Sequence, residues 1–235
     1  MKYRFYLQKF RLLYLTVAMI AIAATAGADQ AVTTIAENVP IPCKQTLIID
    51  AGHGGEDGGA TSCSGLLESQ LNLQIALRLN DLLHLLGYRT QMIRTSDISV
   101  YTEGNSIAAK KVSDLKQRVR IVNQTKNAFL ISIHQNTFPD GRYSGAQVFY
   151  NDVGSAKNLA ETMQNAFVSS LNPGSNRKCK KAEGVYLMQK IQKPGVLVEC
   201  GFLSNIQEEK LLRDAQYQMK ICCVIASSLS TYLNT

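Results

Sequence analysis

The 235-residue chain has no tryptophan, five prolines and three histidines. With 46% hydrophobic and 18% charged residues, this composition excludes collagen-like and disordered chains. No internal period of about 20–50 residues is visible, which argues against a solenoid or propeller. The H-E-x-x-H signature is missing, so a thermolysin-like zinc helix is excluded. A G-x-S-x-G elbow is missing too, which argues against an α/β-hydrolase serine. The glycine-rich run Gly52-His53-Gly54-Gly55 lacks the Lys-Ser/Thr that would follow in a phosphate loop. The first 28 residues contain no acid.

That N-terminal stretch carries Lys2, Arg4, Lys9 and Arg11, then runs uncharged from Leu12 to Ala28 with small residues at Ala26 and Ala28. A basic head, an apolar run and small residues predict a secretory signal over residues 1–28. The alternative is an uncleaved membrane anchor, although the run falls slightly short of the roughly 20 residues that span a bilayer. Setting the four basic residues aside reduces the net charge from +7 to +3, which removes the electrostatic case for nucleic acid. The even set of six cysteines, Cys43, Cys63, Cys179, Cys200, Cys222 and Cys223, invites a disulfide reading in an exported chain. No C-x-x-C occurs. Cys63 with Cys179 is a candidate pair between loops, and Cys222 and Cys223 read as small core residues of a helix.

Residues 29–45, with Pro40 and Pro42, read as a linker, and 46–235 as one domain. Within it apolar runs alternate in period. Strands are predicted at Thr46–Asp50, Tyr88–Ile93, Phe129–Ile133, Ala146–Tyr150, Val185–Met188 and Val196–Glu199. Helices are predicted at Glu68–Leu86, Lys111–Gln124, Ser155–Leu171 and Ile206–Leu233, the last broken near Asp214. Leu71, Ile75, Leu79, Leu82, Leu83 and Leu86 share the inward face of the first, with Gly87 as its C-cap. Leu115, Val119 and Val122 face inward on the second, where Arg118 and Arg120 read as a solvated face. The alternation predicts an α/β fold with a mixed, mostly parallel sheet and helices on both faces.

The chemistry-bearing residues fall at strand ends. His53 follows the first strand, His134 follows Phe129–Ile133, and Glu199 closes Val196–Glu199. Functional groups in an open α/β sheet gather at the carboxyl ends of strands, so these three converge if their strands are parallel neighbours. Glu68, opening the first helix, can face the same rim. Taken singly, each residue has a bland reading as a turn or surface group; together they form a candidate constellation. Two imidazoles and a carboxylate make a catalytic zinc set, and a second carboxylate is needed to move the proton. These residue types alone leave open which glutamate binds metal. His84, off the inward face of its helix, reads as exposed. Tyr186 and Met188 are expected to line the cleft, with Val185 and Leu187 in the core, and the basic segment 172–183 is a solvated loop or a contact for acidic peptides.

The segments IIDAGHGGEDGGA (48–60), GLLESQLNL (65–73), SIHQN (132–136) and VECGFLSN (198–205) resemble the four blocks of zinc-dependent N-acetylmuramoyl-L-alanine amidases. The resemblance implies a six-stranded single domain, one zinc ion held by His53, Glu68 and His134, and Glu199 as catalytic acid/base. SDLKQRVRIVN (113–123), SGAQVFY (144–150) and GVYLMQKIQKPGVLVECGFLSN (184–205) resemble more narrowly the germination-specific amidases of spore-forming bacteria. These remove stem peptides from cortex muramic acid ahead of muramic δ-lactam formation. The implied setting is extracytoplasmic. Peptidoglycan is the substrate, an accessory lipoprotein is a compatible partner, and membrane contact is confined to the N-terminal segment. Other readings are a vegetative wall-lytic amidase, a catalytically silent wall-binding protein and a zinc peptidase of ordinary peptides. The segment from Arg94 to Lys110 is too short for the inhibitory helix of divisome-controlled amidases. Cys200 and Gln135 depart from the family pattern; strand alternation is expected to turn Cys200 away from the metal.

Overall fold

The computed structural model describes residues 45–233. The signal or anchor expected at 1–28, and the linker up to residue 44, lie outside them. Among the described residues, no helix is long and apolar enough to cross a membrane.

Six strands form one sheet: β1 (Thr46–Ala51), β2 (Arg89–Met92), β3 (Ala128–Asn136), β4 (Gln147–Tyr150), β5 (Lys180–Lys181) and β6 (Gly195–Phe202). Their spatial order is β2-β1-β3-β6-β4-β5. The first four run parallel; β4 is antiparallel to β6, and β5 is parallel to β4. The helices are α1 (Glu68–Leu85), α2 (Ile107–Gln124), α3 (Ala156–Ser170), α4 (Tyr186–Lys190), α5 (Ile206–Arg213) and α6 (Ala215–Leu233).

Strand alternation sorts the core into two layers. Leu47, Ile49, Ile131 and Val198 face α1, α3 and α6, meeting Ile75, Leu79, Phe167 and Ile225. Ile48, Leu130 and Leu197 face the other way, toward Val122 of α2 and Leu187 and Met188 of α4. Thus α1 and α2 cover opposite faces. The chain leaves β1 for β2 on one side and returns from β2 to β3 on the other. The order reverses between β1 and β3, and the carboxyl ends of those strands open into a crevice.

Local chemistry accounts for most boundaries. Ser106 caps α2, accepting from the Ala109 amide, so that helix starts four residues before the expected Lys111. Asp214 accepts from the Tyr217 amide at 2.8 Å and so stops α5 and starts α6, as the break in the pattern predicts. Gly87 ends α1 with φ of 82°. Five expectations are corrected. Val185–Met188 is no strand: a helix begins at Tyr186, since this apolar run is too short for its period to separate the two states. The basic segment 172–183 contains the edge strand β5. Leu86 lies beyond the last turn of α1 and is 42% exposed. Cys63 and Cys179 are free thiols, as are Cys200, Cys222 and Cys223, and Cys223 is exposed on the outer side of α6 while Cys222 is buried.

Leu79 is fully buried between sheet and helices. Leu79→Ala is expected to cost about 2–5 kcal/mol of unfolding free energy, whereas Leu86→Ala stays within about 0.5 kcal/mol, both read from urea titrations.

Candidate active site

His53 stands two residues beyond β1 with φ of 61°, a left-handed backbone unusual for a non-glycine residue, and Gly54 and Gly55 continue the turn at φ of 131° and 60°. His134 lies in β3 directly opposite Glu199 of β6. Glu68 is the first residue of α1. The crevice therefore brings together all four residues that the sequence singles out.

The buried carboxylate of Glu68 is the centre of this cluster. Its Oε1 accepts from His134 Nδ1 at 2.9 Å, the Gln135 amide at 3.1 Å and Asn72 Nδ2 at 3.2 Å. Its Oε2 accepts from the Ala60 amide at 3.0 Å and lies 3.3 Å from His53 Nε2. One ligand atom from each of His53, Glu68 and His134 lies within 4.8 Å of the others, so the three can hold a metal ion. The backbone is shaped for this closeness. A Cβ on Gly52 would meet His134 Nε2 at 2.2 Å, and one on Gly59 would meet Glu68 Oε2 at 2.6 Å. With its Nε2 edge against Gly52, His134 turns Nδ1 toward Glu68. His53 bonds Asp57 through Nδ1 at 2.9 Å, which leaves Nε2 facing Glu68. A carboxylate behind a ligating imidazole fixes its tautomer and raises its basicity.

The electrostatics of these groups suit a cation. Burial opposes ionisation of Glu68, but hydrogen bonds from both histidines hold its pKa far below the usual carboxylate range. Burial works against the His53 imidazolium, and Glu68 and Asp57 outweigh it, raising its pKa to about 9. Glu199 has the opposite character. Burial raises its pKa to about 7; His134 pulls it down and Glu68 pushes it up. Its Oε2 is buried without a hydrogen-bond partner. It faces a cleft of about 400 Å³ that also touches His53, His134, Tyr186 and Leu187. Cys200, one residue on, is buried in the opposite layer among Val196, Val198 and Cys222, as alternation predicts.

Behind the His53 loop lie two arginines, each 2% exposed. Arg94 donates to the carbonyls of Ala51, Gly52 and Ser69 at 2.8–3.0 Å. Arg118 donates to the carbonyls of Ala51 at 3.0 Å and His53 at 2.7 Å, and pairs with Asp50 and with Asp114. Three consecutive carbonyls, 51 to 53, thus end on guanidinium groups. The Asp50 carboxyl is buried, yet Arg118 and Ser132 keep its pKa low. The solvated face expected for Arg118 is therefore corrected: Arg120 is exposed, Arg118 is not. The spacing held the signal, because Arg118 lies three residues after Leu115 and four before Val122, on the same helical face. Gln135 is also more than a tolerated departure, since its Nε2 donates to Asn72 Oδ1 and so steadies a side chain that bonds Glu68. Met188 is in the core, and Tyr186 reaches the cleft from α4 rather than from a strand. His84 is exposed, beside Thr90.

Glu199 ionises less readily folded than unfolded. The folded state therefore holds the extra proton between about pH 4.5 and 7, and stability falls as pH rises through that window. Glu199→Gln is expected to stabilise the metal-free protein by about 2–3 kcal/mol at about pH 8 and to change little near pH 4, by thermal unfolding at both. Gly52→Ala is expected to displace the His134 ring and lower metal content at saturating metal with the fold retained, read by elemental analysis and circular dichroism.

Comparisons with known proteins identify the family. Residues 47–231 match the family model described as N-acetylmuramoyl-L-alanine amidase. The chain is 38% identical over 188 residues to the germination-specific N-acetylmuramoyl-L-alanine amidase of Bacillus subtilis, covering 79% of this chain and 78% of that one. Its structure resembles that of the CwlD amidase from Clostridioides difficile, solved in complex with the GerS lipoprotein, with a TM-score of 0.78, 37% identity and coverage of 81% and 99% of the two chains. The amidase AmiC2 of Nostoc punctiforme is similar too, at a TM-score of 0.70, 29% identity and coverage of 83% and 99%. With the model matching most of its length, the chain belongs to the N-acetylmuramoyl-L-alanine amidase family.

Proposed function

We propose that this amidase hydrolyses the amide between the lactyl group of N-acetylmuramic acid and L-alanine with one zinc ion held by His53, Glu68 and His134 and with Glu199 as proton carrier. The observation that carries it is the meeting of those three donors with a buried, unpartnered carboxylate oxygen of Glu199 across the β3–β6 pair. Two imidazoles and a carboxylate suit zinc and leave a position open to substrate. When bound, zinc supplies a Lewis acid that polarises the scissile carbonyl and makes water acidic enough to attack near neutral pH.

The remaining work falls to the chain. Asp57 keeps the His53 proton on Nδ1, and Gly52 gives His134 room to present Nδ1. Glu199 Oε2 takes the proton of the attacking water and returns it to the departing alanine nitrogen. Burial raises the Glu199 pKa in the metal-free fold, which makes the carboxylate more basic and so better able to accept a proton, and a bound cation would pull it back down. Tyr186 and Leu187 give the cleft an apolar wall beside these groups.

The similarity to a germination-specific amidase supports spore cortex as the substrate, with stem-peptide removal preceding muramic δ-lactam formation. The reading places the domain outside the cytoplasm, led there by residues 1–28 acting as a signal or anchor. The complex of the C. difficile relative with GerS supports an accessory lipoprotein as partner.

Purified protein is expected to contain one zinc per chain and to release free stem peptides from cortex peptidoglycan, detected by mass spectrometry. Glu199→Ala keeps the zinc and loses turnover by at least about a thousandfold; His53→Ala loses both. Turnover by the Glu199 variant at the wild-type rate overturns its role, and metal-free protein with full activity overturns the zinc site.

A further inference from the structure

The α2 helix lays one stripe along the cleft wall: Lys111, Asp114, Leu115 and Arg118, at i, i+3, i+4 and i+7. The charges on it differ in what they can still bind. Arg118, at the inner end, is buried and committed to Asp50, Asp114 and two backbone carbonyls. Asp114 is occupied by Arg118 and by the Val100 amide. Lys111, at the outer end, is half exposed and pairs with Asp57 Oδ1 at 2.8 Å. An ammonium has three donors, so two remain for an incoming acceptor. Its neighbour Lys110 is held elsewhere, on Glu56 and over the Tyr101 ring.

Place and charge together select a ligand. Asp57 bonds Lys111 with one oxygen and His53 with the other, so the ammonium stands two hydrogen bonds from the metal-facing imidazole. The cleft also carries Asp50, Asp114 and Arg118, which pair with one another, and Glu199, whose unpartnered oxygen offers an incoming carboxylate no donor. Lys111 is the exception. On the substrate taken from the reading above, the residue after L-alanine begins one residue length, about 3.5 Å, beyond the scissile unit. It is a glutamate linked onward through its side-chain carboxyl, which leaves its α-carboxyl free or amidated. We propose that Lys111 is a specificity residue that binds the free α-carboxylate of this second stem residue, so that the enzyme prefers the acid over the amide.

The test uses two muropeptides that differ only in carboxylate or carboxamide at that position, with zinc-loaded wild type, Lys111→Gln and Lys111→Arg. Wild type is expected to favour the acid about tenfold in kcat/KM, mainly through KM, with the preference shrinking in high salt. Lys111→Gln brings the ratio to about one, and Lys111→Arg restores it. Zinc content and thermal unfolding of each variant report an intact site. Equal use of the two substrates by wild type overturns the proposal. So does a Lys111→Gln enzyme that slows equally on both while keeping the preference, because Lys111 then acts only by steadying Asp57. Cleavage of neither substrate by wild type overturns this proposal together with the amidase reading, whereas cleavage of both at equal efficiency overturns this one alone.

Discussion

Glu68, at the start of α1, joins the loop that leads into it from β1 to the end of β3, 66 residues further along the chain. It is 4% exposed, and an isolated carboxylate so buried would take up a proton. Here it stays ionised because two imidazoles, two backbone amides and the Asn72 amide surround its oxygens. Removing any donor leaves a buried charge short of a partner, so these groups hold their places together rather than one by one.

The arginines support that arrangement from behind. A turn with His53 at positive φ is not one its side chain favours, and it needs outside bonds to persist. Arg118 and Arg94 provide them through the carbonyls of residues 51 to 53, while Asp50 and Asp114 neutralise Arg118 inside the core. Gly54 and Gly59 fit the same plan, since a side chain at either would strike the guanidinium or the carboxylate itself.

Much of this was legible beforehand, for definite reasons. His53, His134 and Glu199 follow apolar strand runs, and parallel strands send such residues to one rim. The α1 and α3 helices were clear from period alone. Other parts left weaker marks. A five-residue helix and an apolar strand look alike over Val185–Met188, and a two-residue edge strand such as β5 leaves no periodic trace. The order of strands, and the reversal of β4 against β6, depend on packing of whole elements. Residue type alone places Arg118 on a solvated face, although its position between Leu115 and Val122 points inward. Asp57 and Asn72 carry no pattern; their roles exist only once the loop and helix meet.

The raised basicity of His53 gives the site a further property. In the metal-free fold this imidazole holds a proton between Glu68 and Asp57 up to about pH 9. A cation entering there evicts that proton, because the nitrogen that faces Glu68 serves one or the other. A dication that displaces this one proton leaves the cage one positive charge richer, which the carboxylates of Glu68 and Asp57 are placed to balance. Protons thereby compete with a cation for this nitrogen, and lowering the pH weakens metal binding there.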